Sequence, residues 1–150
     1  MPITPLQPTP QQLAEQVRDA MWEGDHATKM LGMAITEVGP GRAVIQMAVR
    51  QDMLNGHAIC HGGLITTLAD STFAFACNSY NELTVASGFT VDLLAPGRLG
   101  DVLTATGTEV SKAGRTGVYD VEVRNQRGER IAVFRGRSYT MRGKPVIPSA

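Results

Sequence analysis

Two periods of hydrophobicity divide the chain. In 116–126, TGVYDVEVRNQ, the residues Tyr119, Val121 and Val123 alternate with Asp120, Glu122 and Arg124. A period of two predicts a half-buried strand. Segments 83–95, 101–112 and 129–141 are rich in Val, Thr and Ile and predict three more. Pro96-Gly97, Gly114 and Gly128 separate these four, which predicts short antiparallel connections. Two earlier strands, 33–39 and 42–49, flank a hairpin turn at Gly39-Pro40-Gly41. Helical periodicity occurs twice. Thr9-Pro10 reads as an N-cap followed by a proline at the first helical position. Leu13, Val17, Ala20 and Met21 share one face of that helix, and Gly24 ends it. The second helix, about 61 to 80, is apolar or small all round, so it is buried on several sides. These elements predict an α+β domain in which this helix covers the apolar face of the sheet. A sheet covers one side of a helix only. A second copy of the chain is the simplest cover for the other side.

The 150 residues suit one domain with one core. Residues 1–9 hold three of the eight prolines and read as a flexible arm. The domain runs from 10 to 142, and 143–150 read as a loose tail. With 14 basic and 14 acidic residues the net charge is zero, so neither a nucleic-acid surface nor a polybasic membrane patch is expected. Two cysteines, Cys60 and Cys77, are too few for a disulfide framework and are expected reduced. The N-terminus lacks an apolar signal region, and no apolar run nears the ~20 residues of a membrane span. A cytoplasmic protein is the expectation.

Candidate chemistry concentrates in 55–70, NGHAICHGGLITTLAD. Glycine at a helix start suits close approach of a ligand to the backbone. First-turn N–H groups have no partner inside the helix, and the helix dipole adds positive potential there. A carbonyl oxygen gaining negative charge is a natural guest for Gly62. Packing of Gly62 and Gly63 against a neighbour explains the same residues equally well. Asp70 shifts the balance. A carboxylate in an apolar setting is costly unless paired or used. Its polar neighbours, Thr66, Thr67, Ser71 and Thr72, include no cation, which fits a nucleophile or general base. Gly62 and Asp70 are eight residues apart, ~12 Å along a helix. Two antiparallel copies of the helix about a two-fold axis would bring Gly62 of one beside Asp70 of the other.

Asn55-Gly56-His57, His61-Gly62-Gly63 and Leu68-Ala69-Asp70 resemble the hotdog-fold acyl-CoA thioesterases, most closely the phenylacetic acid degradation type. The resemblance continues through FAFACNS (73–79), TVDLLAPG (90–97), TGVYDVEV (116–123) and VFRGRS (133–138). It implies a hotdog fold, an antiparallel sheet wrapped around one long central helix. It implies hydrolysis of phenylacetyl-CoA or hydroxyphenylacetyl-CoA to a carboxylate and free coenzyme A. By matched positions, Asp70 attacks the thioester or activates water from the opposite subunit. The Gly62 N–H polarises the carbonyl, and His61 and Asn55 line the site. Ser87 is the candidate for holding water. The family often has Asn at Gly24 and Arg at Ala95; these departures bear on substrate preference and coenzyme A contacts. A homotetramer is typical of the family, and no metal or redox cofactor is implied.

Coenzyme A carries phosphates, which need cations. Lys112 and Arg115 bracket the turn in SKAGRTG and are the first candidates; Arg137 and Arg98 are weaker ones. Each taken singly reads more readily as a solvated surface charge. Met53, Leu54 and Phe73 are candidates for an acyl slot, or plain core. Four other readings compete. His57, Cys60, His61 and Asp70 suggest a metal, on weak spacing. Cys60 beside His61 suggests a thiol nucleophile, against the commoner role of a small buried hydrophobe. Asp52 and His57 faintly resemble the catalytic pair of hotdog enoyl-CoA hydratases. A non-catalytic acyl-CoA-binding dimer is the fourth.

Overall fold

The computed structural model describes residues 1–148. Helix α1 spans Pro10–Gly24, and a one-turn helix α2 spans His26–Met30. Strands β1 (Ala34–Gly39) and β2 (Arg42–Ala48) follow, then α3 (Gly62–Cys77). Strands β3 (Thr84–Leu93), β4 (Val102–Ala113), β5 (Thr116–Arg124) and β6 (Arg130–Thr140) complete the chain. All six strands form one antiparallel sheet in the order β1-β2-β4-β5-β6-β3, with α3 packed against it.

Local signals explain the element ends. The Thr9 hydroxyl accepts from the Gln12 N–H while the Gln12 side chain accepts from the Thr9 N–H, a reciprocal cap that starts α1 at Pro10. Ala14 and Val17 are buried on α1; Ala20, expected on that face, is exposed. The segment expected as a turn after Gly24 folds as α2 because the Asp25 carboxylate caps it, accepting from the Thr28 N–H and hydroxyl.

Hairpins form at Gly39-Pro40-Gly41, Gly114 and Gly128 as expected. Pro96-Gly97 does not turn a hairpin. Strand β3 pairs with β6 at the far edge, so 94–101 cross from one side of the sheet to β4. Gly97 lies in close quarters there: a Cβ at this position would lie 3.2 Å from Cys60 Cβ, so that neighbour would have to give. The Gly97 carbonyl accepts from the Cys60 N–H at 2.7 Å, so the crossover runs directly beneath the start of α3.

The core lies between α3 and the inner sheet face. Phe73 packs against Tyr119 and Phe134, with Gly136 giving it room: a Cβ there would meet the ring at 2.9 Å. Met53 and Phe73 are 1% exposed, so both are core and neither lines an acyl slot. In the tail, the Lys144 carbonyl accepts from the Leu83 N–H and the Ile147 N–H donates to Asn81; residues 149–150 lie outside the described residues.

Candidate active site

The loop ahead of α3 is tightly built. Leu54 and Cys60 form an isolated antiparallel bridge around 55–59, and Ala58 adopts φ 59°, a left-handed conformation that non-glycine residues rarely hold. The Asn55 side-chain oxygen accepts from the His57 N–H at 2.9 Å and the Ile59 N–H at 3.4 Å. Its amide nitrogen has no partner among the described residues. The His61 N–H is fixed on the Met53 carbonyl at 2.8 Å.

His61 is the N-cap of α3. Its Nδ1 accepts from the Gly63 N–H at 3.1 Å, so the neutral ring carries its proton on Nε2. The His61 carbonyl takes the next two amides, those of Leu64 and Ile65. Among the described residues, the Gly62 N–H is left without a partner. Gly62 faces a cleft of about 370 Å³ lined also by Asn55, Ile59, Leu93, Ala95 and Pro96. A Cβ on Gly62 would lie 2.5 Å from the end of the Leu93 side chain, which would have to move aside. Two unclaimed donors, the Gly62 N–H and the Asn55 amide, therefore border one cleft.

Sequence reasoning placed the donors but missed the opposite wall. Leu93, Ala95 and Pro96 come from the crossover, and their nearness to Gly62 follows from the β3–β6 pairing, a non-local fact. The one local hint was an apolar pair, Leu93-Leu94, directly ahead of Pro96.

Two turns along α3, Asp70 is half-buried and makes no hydrogen bond or ion pair among the described residues. Burial raises its carboxyl above the ordinary 3.8. The threonines around it satisfy themselves. The Thr66, Thr67 and Thr72 hydroxyls each donate to the carbonyl four residues back at 2.8 Å. Ser71 meets Thr28 of α2 at 3.0 Å. On α3, Gly63, Thr66, Thr67, Asp70 and Ala74 form one incompletely covered stripe. Asp70 stands in it, ~12 Å from Gly62 on the same helix.

The other candidates separate cleanly. Asp52 is ion-paired with Arg50 at 3.0 Å, which holds its carboxyl below the usual range, and His57 is exposed in its turn. Asp52 is thus a poor proton acceptor for hydration chemistry. Cys60 is buried, and burial pushes its thiol up, away from the reactive thiolate. Among the described residues, no group of three or more His, Cys, Asp or Glu side chains is placed to hold a metal. Leu54 is half-buried. The Ser87 hydroxyl donates to the Arg137 carbonyl at 3.1 Å. The Lys112 ammonium lies 3.5 Å from Glu82 and 4.1 Å above the Tyr80 ring. Arg115 donates to the Tyr139 hydroxyl at 3.4 Å. Arg98 is exposed on the crossover; its main-chain N–H donates to the Asp101 carboxylate and its carbonyl accepts from the Asp101 N–H, both at 2.9 Å.

Residues 57–132, which hold His61, Gly62 and Asp70, match the thioesterase superfamily. The acyl-coenzyme A thioesterase PaaI of Escherichia coli K12 is 47% identical over 130 residues, 87% of this chain and 93% of that one. The chain belongs to the thioesterase superfamily. Its fold is the hotdog thioesterase fold, as the solved structures bear out. The E. coli PaaI protein from the phenylacetic acid degradation operon superposes with a TM-score of 0.89 at 45% identity, covering 91% of this chain and 99% of that one. A hypothetical thioesterase protein from Streptococcus pneumoniae TIGR4, solved with coenzyme A, gives 0.75 at 26% identity, over 83% of this chain and 96% of that one. As a thioesterase, this chain needs an activator of the carbonyl and a group that attacks or delivers water. No helix among the described residues is long and apolar enough to cross a membrane.

Proposed function

We propose that this thioesterase hydrolyses acyl-CoA esters of the phenylacetyl or hydroxyphenylacetyl type at a site shared by two subunits. The observation that carries the reading is the pairing of an unclaimed Gly62 N–H with an unpaired, half-buried Asp70 on one helix. The helix rise keeps them ~12 Å apart within one chain, too far to act on one carbonyl. The name and operon of E. coli PaaI support the substrate class.

The open parts of the single chain support a dimer. Strand β3 is a sheet edge with an unpaired row of backbone groups. Leu93, Val91 and Phe89 sit opposite Ala132, Phe134 and Gly136 on the inner face, yet Leu93 is 52% and Phe89 40% exposed. A second copy joined about a two-fold axis would cover these side chains and the uncovered stripe of α3 together.

In the site so formed, the Gly62 N–H and the Asn55 amide polarise the thioester carbonyl. The partner subunit's Asp70 then acts in one of two ways. As a nucleophile, its carboxylate oxygen bonds to the carbonyl carbon and the carbon–sulfur bond breaks. Coenzyme A leaves as thiolate, and water cleaves the resulting anhydride. As a base, it takes a proton from water, whose oxygen attacks instead. Both routes consume one water and yield the carboxylate and the free thiol. His61 orients the start of α3 through its bond to the Gly63 N–H.

Thiol release from phenylacetyl-CoA tests the chemistry; binding without release would leave a non-catalytic dimer. Mixing Asp70→Asn and Gly62→Pro chains tests the sharing. A random one-to-one mixture should recover about a quarter of wild-type turnover, because half the dimers are mixed and each holds one intact site. A mixture no better than its parents would place both groups in one subunit and end this mechanism.

A further inference from the structure

The N-terminal arm carries apolar residues that neither the core nor the cleft uses. Pro2, Pro5 and Pro8 recur every third residue, and Ile3 and Leu6 keep the same spacing one place on. Proline fixes its own φ and drives the residue before it into the extended region. Of residues 1–9, only Ile3 and Leu6 are neither a proline nor followed by one. Thr9, just before Pro10, has φ −64° and ψ 161°. These are polyproline II values. That helix has three residues per turn, so the arm has a proline face, an apolar face of Ile3 and Leu6, and a polar face of Thr4 and Gln7. Both apolar side chains are almost fully exposed.

The arm turns back along α1. Leu6 and Pro8 rim a shallow groove with Gln12, Glu15 and Asp19. Those three residues and Trp22 follow one another at spacings of three, four and three along one face of α1. Past Asp19 lies an apolar groove of about 300 Å³ formed by Trp22, Met33 and Ile35, and Arg18 and Asp19 border both grooves. Arg18 and Asp19 pair with each other at 2.9 Å, and the arm has no charged side chain to disturb them. Trp22 is half-buried, and its indole N–H has no acceptor among the described residues. The carbonyls of a polyproline II segment make no internal hydrogen bonds and are free to accept. From Leu6 to Ile3 such an arm advances ~9 Å, and from Asp19 to Trp22 the helix advances ~5 Å. Ile3 therefore reaches the tryptophan. The groove borders the start of β1, the sheet edge opposite β3, and an open edge invites pairing with other chains.

We propose that residues 1–8 are a strap that closes along α1 and seats Ile3 in the groove of Trp22, Met33 and Ile35 of the same chain. Aromatic-lined grooves take proline-rich segments because a preformed helix loses little freedom on docking. The Trp22 N–H supplies the donor for a strap carbonyl. Once closed, the strap shields the start of β1 and buries the two apolar side chains that the arm otherwise exposes.

Trp22 is the sole tryptophan, so its fluorescence reads the groove directly. In the full chain, Ile3→Asp should move the emission to longer wavelength and raise quenching by acrylamide, because the uncovered ring is wetter. Thr4→Asp places the same charge one residue on, on the polar face, and should match wild type. Ile3→Val keeps the apolar contact and should match it too. Nuclear Overhauser contacts should join the Ile3 methyls to the Trp22 ring in wild type, and the emission should not change with protein concentration. An emission that Ile3→Asp leaves where it was would overturn the proposal, as would equal shifts from Ile3→Asp and Thr4→Asp or absence of the methyl–indole contacts. A wild-type emission that moves to shorter wavelength only as concentration rises would seat the arm on a second copy and overturn docking within one chain.

Discussion

At the C-terminal end of α3 every notable polar group has a partner. The buried Asn78 amide donates to the Ala74 and Thr84 carbonyls at 2.9 and 3.0 Å, and its oxygen accepts from the Thr84 N–H at 2.9 Å. The Ser79 hydroxyl donates to Ala76 and accepts from the Gly41 N–H, both at 2.8 Å. The Tyr80 and Tyr119 hydroxyls converge on one oxygen of Glu109 at 2.9 and 3.0 Å. At the other end of the same helix the Gly62 N–H, and at its middle the Asp70 carboxylate, have none among the described residues. One helix therefore carries both a fully satisfied anchor and a set of idle groups. Buried polar groups left idle destabilise a fold. Both lie outside the satisfied anchor, on residues of α3 that the chain itself leaves incompletely covered, which argues that they are kept for a ligand and not for the fold.

Asp70→Asn should widen the contrast most. Turnover should fall at least ~100-fold, since the attacking or activating group is lost. Stability should hold or rise at neutral pH, because an unpaired carboxylate leaves a half-buried site. The sign follows from its raised pKa. The native state binds this proton more tightly than the unfolded chain does, so the charged form is a penalty that grows as pH rises through the folded-state value. The gain in Tm should thus be present at pH 7 and vanish at pH values below the ordinary 3.8. The acid limb of kcat/KM should lie above 3.8 for the same reason. A variant that loses stability at pH 7 would make Asp70 a structural residue.

Gly62 offers a finer cut. It is the first helical residue, where proline is tolerated because no N–H is needed there. Gly62→Pro removes the unclaimed donor. Gly62→Ala keeps the donor but adds a Cβ that must displace Leu93, the exposed end of a flexible side chain. If the N–H polarises the carbonyl, the proline variant should lose of order 100-fold in kcat and the alanine variant about tenfold or less. Equal losses would assign the effect to the displaced Leu93.

The two regions also differ in how far the sequence revealed them. The donors and the carboxylate lie within 55–70, and the cap, the glycine pair and the lone charge are local signals. The alternation in β5 placed that strand to within two residues, and α3 begins within a residue of expectation. What stayed hidden depends on pairing at a distance. Pro96-Gly97 reads as a turn whether it joins neighbours or crosses beneath a helix, so the second wall of the cleft was not visible. The surroundings of the cations were hidden for the same reason. Lys112 reads as a solvated charge until the fold sets it beside Glu82 of the loop before β3, and Gly88 lies under Arg137 only because β3 pairs with β6.

The anchor end supplies the control with the smallest expected effect on turnover and a clear one on stability. Asn78→Ala leaves the Thr84 N–H and carbonyl buried without their partner, and should cost about 2–4 kcal/mol in a urea melt. Turnover per folded molecule should stay within twofold, since Asn78 stands at the end of α3 remote from Gly62. Asn78→Asp separates lost bonds from lost volume. Its carboxylate still accepts from the Thr84 N–H but faces two carbonyl oxygens where an amide once donated. At pH 7 the aspartate variant should therefore be less stable than the alanine variant, and the order should narrow or reverse once the acid is protonated and can donate to one of those carbonyls. If the aspartate variant instead matched wild type at pH 7, the amide would not be anchoring this end, and the contrast between the two ends of α3 would lose its meaning.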